Sequence, residues 1–131
     1  MKRQRKSSDS GQAIVEFALI LPVLLLIVLG IIQFGRLYSN DETITNATRA
    51  GARVAAVSRT ASDPVGATIQ AVKNAAPNLD PSQVTVTVTP APPWQPGSSV
   101  TVTATYPYSI DLLGMVVKSG TLSSSTTERV E

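Results

Sequence analysis

Cysteine and histidine are both absent from the 131 residues of this chain. Their absence removes disulfides, thiolate chemistry and nearly every transition-metal site, so no metal and no cofactor is expected. Hydrolytic chemistry is then reduced to a carboxylate pair or a Ser–Lys dyad. Asp41 and Glu42 are sequence neighbours, which a helix points in different directions. Lys73 and Lys118 are the lysines outside the first ten residues, and neither has a serine three positions before it. Glycine-rich phosphate loops and calcium loops of alternating acids are also missing. These absences read against an enzyme and against a small-molecule substrate.

A basic domain is missing as well. The chain carries 11 Lys and Arg against 9 Asp and Glu, but Lys2, Arg3, Arg5 and Lys6 hold four of the cations ahead of residue 10. Beyond residue 11 the balance is seven basic to eight acidic, near neutrality. A nucleic-acid binder would carry its basic patch on the folded domain, so no nucleic-acid partner is expected.

What is present is a long apolar run. Ala13 to Ile32 is 20 residues whose one charge is Glu16, and fifteen of them are Leu, Ile, Val or Phe. As a helix rising about 1.5 Å per residue the run spans roughly 30 Å, the thickness of a hydrocarbon core. Its apolar side chains favour insertion by about 5–9 kcal/mol, against about 2.5–3.5 kcal/mol for a carboxylate at mid-bilayer. Glu16 lies near the end of the run, where the cost is smaller. A transmembrane helix over 12–32 follows, preceded by a cationic leader over 1–11. Pro22 predicts a kink or a loosened turn. A secretory signal peptide would be shorter and would end in a small-x-small site, which Gln33-Phe-Gly-Arg-Leu does not provide.

The helical pattern continues over 33–60, with Leu37, Ile44, Ala47, Gly51 and Val54 forming a thin stripe rich in small residues. Gly30, Gly35 and Gly51 permit close helix approach or local bending, and none forms a G-x-x-x-G pair. Residues 61–131 read as a small α/β domain. Asp63 and Pro64 start a short helix with Val65, Ile69, Val72 and Ala76 on its apolar face, and Pro77 ends it. Beyond Pro81 the period changes to two. Val84, Val86 and Val88, then Val100, Val102 and Ala104, alternate with threonines, which predicts two half-buried strands joined by the proline-rich loop 90–97. Tyr106-Pro107-Tyr108 closes the second strand, residues 110–117 form a short apolar element read as a helical turn, and Thr121–Val130 is a weaker third strand. The fold class is α+β: a long N-terminal helix, a short second helix and a small antiparallel sheet of about three strands.

Gly11-Gln-Ala-Ile-Val-Glu16-Phe17 resembles a type IV prepilin junction. The longer text GQAIVEFALILPVLLLIVLGIIQFGRLYSN, followed by NATRAGARVAAV, resembles the TadE/TadF-like family of minor pseudopilins, which belong to the tight-adherence (Flp) pilus assembly system. The resemblance covers roughly residues 11–58. It implies cleavage by a prepilin peptidase between Gly11 and Gln12, with Glu16 as an assembly carboxylate that neutralises the new amine of a neighbouring subunit. It also implies partners among other pseudopilins and pilus assembly proteins, with roles in adhesion or secretion. The family often has an acidic residue where this chain has Ala50, so no charge pair is expected there. Positive-inside bias puts the leader in the cytoplasm, the span in the lipid bilayer and the rest outside, and the resemblance implies that this membrane is a bacterial inner or cytoplasmic membrane.

Three further residues are candidate partner contacts. Arg49 and Arg53, four apart, either dock on a partner or on lipid headgroups, or form a solvated helix face. Trp94 is either a binding tip or packs across its own prolines. A membrane-anchored binding module, with a Val/Thr-rich sheet and the Trp94 loop as its recognition surface, is the reading that competes with a pseudopilin.

Overall fold

The computed structural model describes residues 8–131, with side chains from residue 11, so the part of the cationic leader over residues 1–7 lies outside the described residues. Five elements follow in order: α1 (Ser8–Val57), α2 (Pro64–Asn74), β1 (Thr85–Thr89), β2 (Ser99–Leu112) and β3 (Met115–Arg129). The arrangement is α+β, as the sequence pattern implies.

The 50 residues of α1 form one helix, about 75 Å long at the usual rise. Pro22 lies inside it without ending it. Every residue from Gly11 to Val28 is exposed in the isolated chain. The helix is long and apolar enough to cross a membrane, and it reads as a single-pass anchor.

The other end of α1 is buried. Ile44, Ala47, Ala52 and Ala55 are fully buried among Val72 of α2, Val100, Val102 and Ala104 of β2, and Val130. The stripe read from the sequence is right at Ile44, Ala47 and Gly51 but ends differently, since Ala52 and Ala55 are covered while Val54 is half-buried. Helix α2 packs on one flank of the stripe and the sheet on the other, so the covered face is wider than one line of residues.

Gly51 stands where these elements converge. A Cβ there would overlap Val72 Cγ2 of α2, and it would lie 3.5 Å from the Thr68 carbonyl oxygen and 3.6 Å from Val102 Cγ1 of β2. Gly30 and Gly35, by contrast, face open space. The buried hydroxyls of Thr48 and Thr68 donate to the carbonyls four residues back, Ile44 O at 2.7 Å and Pro64 O at 2.8 Å, so neither is left unpaired.

Helix α2 starts as its sequence dictates. Asp63 Oδ1 accepts from the Gly66 amide at 2.8 Å, and Pro64 takes the first helical position. Lys73 in the last turn suits the negative end of the helix dipole. In the following turn Asp80 accepts from the Ser82 hydroxyl and amide, which holds its carboxyl below the usual range.

The sheet is antiparallel in the order β1-β2-β3. Val86 pairs with Ala104 and Val88 with Val102, placing the valines toward the helices and the threonines outward. The outer face is hydroxyl-lined: Thr101 meets Thr127 at 2.8 Å and Thr103 meets Ser125 at 2.7 Å. The sheet's far end is tied to the end of α1. The Glu131 amide donates to the Ala56 carbonyl at 2.9 Å, filling one acceptor that a helix C-terminus leaves open. Arg59 Nε donates to the Glu131 carbonyl oxygen at 2.6 Å.

One sequence expectation is corrected. Residues 110–117 are not a helical turn, and the second strand does not close at Tyr108. Strand β2 runs on to Leu112, Leu113-Gly114 makes a two-residue turn, and β3 begins at Met115. Pro107 is tolerated because β1 stops pairing at Thr105, leaving β2 with an open edge beyond it. Leu113 and Gly114 have φ of 52° and 82°, the mirror-image turn that matches strand twist. Asn-Gly would have announced that turn; Leu-Gly does not.

Replacing Gly51 by valine should destabilise the folded head by about 1–3 kcal/mol through overpacking. Gly35→Ala, in open space on the same helix, should not destabilise it, because alanine is the better helix former. Thermal melts in detergent, followed by the fluorescence of the single buried tryptophan, would read both. By the same assay Asp63→Ala should cost about 1 kcal/mol through loss of the α2 cap.

Candidate functional site

The chemistry-bearing residues of the N-terminal segment lie on one turn of α1. Gln12 and Glu16 are four apart and therefore share a face. The Gln12 side-chain amide donates to Glu16 Oε1 at 2.9 Å. A carboxylate has two oxygens and about four acceptor positions, so one amide leaves capacity for further donors. Gly11, just before them, has nothing within 4 Å of where a Cβ would stand. The surrounding helix surface is apolar, with Ile14, Val15 and Phe17 all at least 60% exposed. The arrangement is an acceptor on a bare hydrophobic rod, suited to a donor brought by a neighbouring molecule in a water-poor setting.

Arg49 and Arg53 lie at the other end of the same helix. Both are exposed, on the side away from the core made by Ile44, Ala47 and Ala55. Along one helix, 33 residues separate Glu16 from Arg49, about 50 Å. They therefore belong to no common site. The exposed pair is available to a partner or to solvent alike.

Trp94 is placed differently from a binding tip. It is 5% exposed within the core cluster, and its indole Nε1 donates to the Pro90 carbonyl at 2.8 Å. The loop prolines thus fold the ring inward and satisfy its one polar atom. Of the two readings of Trp94, the structure has the ring packed among its own prolines and not at an exposed tip.

The sequence reading missed the lower end of the β2–β3 hairpin. The Gln33 side-chain amide, the first polar group past the apolar run, donates to the Asp111 carbonyl at 2.8 Å. A groove between α1 and the hairpin is lined there by Gln33, Arg36, Asn40, Tyr106, Tyr108 and Asp111. The apolar element over 110–117 was the available signal, and its hairpin form was hidden by the unusual turn dipeptide. Among the described residues no set of carboxylates is gathered as a metal site.

Comparison with known proteins bears on the N-terminal segment alone. No curated protein and no solved structure matched the chain. Residues 11–53, which run from Gly11 through the apolar span to Arg53, match the family described as TadE-like protein.

Proposed function

We propose that the chain is a minor pseudopilin-like structural component of a Flp/Tad-type pilus assembly or a related secretion system. In this reading a prepilin peptidase cuts between Gly11 and Gln12 and removes the cationic leader. The mature chain stays in the bacterial inner membrane as a single-pass protein, with its N-terminus at the cytoplasmic side and its sheet domain outside. Assembly runs through the N-terminal helix, with other pseudopilins or pilus assembly proteins as partners.

The observation that carries this reading is the placement of Glu16. It is the sole charge on the exposed apolar surface of α1 between Gly11 and Ile32, one turn from Gln12, in the segment where the TadE-like match begins. Cleavage would create an amine on Gln12, one helical turn or about 6 Å along the axis from the carboxylate. Buried in a packed assembly, an ammonium and a carboxylate from adjacent subunits satisfy each other, whereas either alone would be costly. This requirement fixes the axial stagger of neighbouring helices, much as a buried polar pair fixes register in a coiled coil.

The competing view, a membrane-anchored binding module, has the Val/Thr-rich sheet and the Trp94 loop as its recognition surface. With the indole buried, that loop offers no aromatic anchor.

Glu16→Gln keeps the size and the Gln12 contact of the side chain but removes its charge. In cells carrying the partner pseudopilins, this variant should still reach the membrane. Its recovery with the assembled pilus fraction should fall roughly tenfold or more, given about 2–5 kcal/mol for leaving one member of a buried charged pair alone. Recovery equal to the wild type would reduce α1 to a plain anchor.

A further inference from the structure

The β2–β3 hairpin ends in an apolar tip that none of the described residues covers. Leu113 is 72% exposed, Met115 70%, and Val116 and Val117 62% each. These are consecutive in space, on both faces of the turn, and they contrast with the hydroxyl-lined strands above them. Ile110, on the inner face just before them, is buried.

The position of this tip along α1 gives it a partner. The Gln33–Asp111 hydrogen bond fixes Asp111 at the level of Gln33, the residue that follows the apolar span. The strands run down α1 from the Ala56–Glu131 tie toward that contact. Two further residues of strand, at about 3.3 Å each, carry the turn roughly 6–7 Å beyond Gln33 toward the N-terminus. That is alongside the last turn of the span, where a bilayer's acyl region gives way to headgroups. Around the same level stand side chains suited to that boundary: Phe34 and Tyr38 exposed on α1, Tyr108 on β2, and the cations Arg36 and Lys118.

The turn itself is costly for a soluble hairpin. Leu113 holds a φ of 52°, a region that bulky side chains rarely occupy and that Asn or Gly would fill without strain. The leucine there projects an apolar group at the tip despite its backbone.

We propose that the Leu113–Val117 tip is a second membrane-contacting element, which inserts into the bilayer interface beside the transmembrane helix. The proposal rests on the reading that α1 crosses the membrane. A rod with one attachment can swivel and tilt freely, whereas a rod with a second, lateral attachment about one helix diameter away is held in one orientation. The tip thereby fixes which side of the sheet domain faces neighbouring subunits and which faces outward.

The absence of native cysteine makes the test direct. Met115→Cys, Leu113→Cys, Leu25→Cys and Thr87→Cys variants of the full chain would each carry an environment-sensitive fluorophore. They would be reconstituted in phosphatidylethanolamine/phosphatidylglycerol vesicles, with unchanged Trp94 fluorescence as the check on folding. Labels at the tip should show blue-shifted emission and severalfold stronger quenching by nitroxide lipids than the Thr87→Cys label on the outer sheet face. They should also be protected from aqueous iodide. Tip labels quenched by iodide as fully as the Thr87→Cys label overturn the proposal. So do labels protected from iodide yet untouched by the lipid quencher, because a second copy of the chain would then cover the tip. If the Leu25→Cys label is aqueous too, the transmembrane reading of α1 falls along with the tip. If it is deeply quenched while the tip is not, the tip proposal alone fails.

Discussion

A bilayer offers no water to a peptide bond, so any segment that crosses it must satisfy its own backbone hydrogen bonds. In this chain one helix is long and apolar enough to meet that constraint, and it runs on well past its apolar stretch. The short second helix and the three-stranded sheet each have an apolar face that must be covered. The solution in the structure is to let the same helix run on and serve as the central core element of the head. Ile44, Ala47, Ala52 and Ala55 of α1 occupy the middle of the cluster that Val72, Val100, Val102 and Val130 complete. The sheet is therefore not a separate domain on a tether; its inner face has α1 as its floor.

This dependence explains the composition of the upper helix. The residues facing α2 and the sheet are mostly alanine and glycine, and at Gly51 no side chain fits at all. Small residues bring backbones close, which compensates in dispersion contacts for the small volume each contributes. The long lever of the hairpin is fixed to α1 at both ends, by the Glu131 amide on the Ala56 carbonyl and by Gln33 on the Asp111 carbonyl. No linker separates the apolar half of α1 from the half that packs on the sheet. That continuity matters for a protein whose proposed role is to be placed in register by one carboxylate near its N-terminus.

Local signals were easiest to read where a single physical rule governs. The span followed from its length and apolarity, the α2 start from Asp63-Pro64, and the strands from strict Val/Thr alternation. What the sequence hid was decided between distant residues or by an untypical turn. The burial of Trp94 depends on loop prolines folding back onto the core, which no periodicity encodes. The hairpin tip was obscured because Leu113 stands where Asn would be expected, and because Pro107 looked like a strand terminator before the open edge beyond Thr105 was known. Likewise the shift from Val54 to Ala52 and Ala55 arises from having two partners on opposite flanks of one helix. Of the candidate site residues, Gln12 and Glu16 could be paired from their spacing, while the exposure of Arg49 and Arg53 required the position of the core to be known.

The central claim is that α1 begins, in the working protein, at a new terminus one turn before Glu16. The most direct measurement is the intact mass and N-terminal sequence of the protein recovered from membranes of a host that carries the cognate prepilin peptidase. The account predicts a mature chain that starts at Gln12 and lacks the cationic leader. A chain recovered whole from Met1 would contradict it, leaving α1 as a membrane anchor that shares its upper half with a small β-sheet.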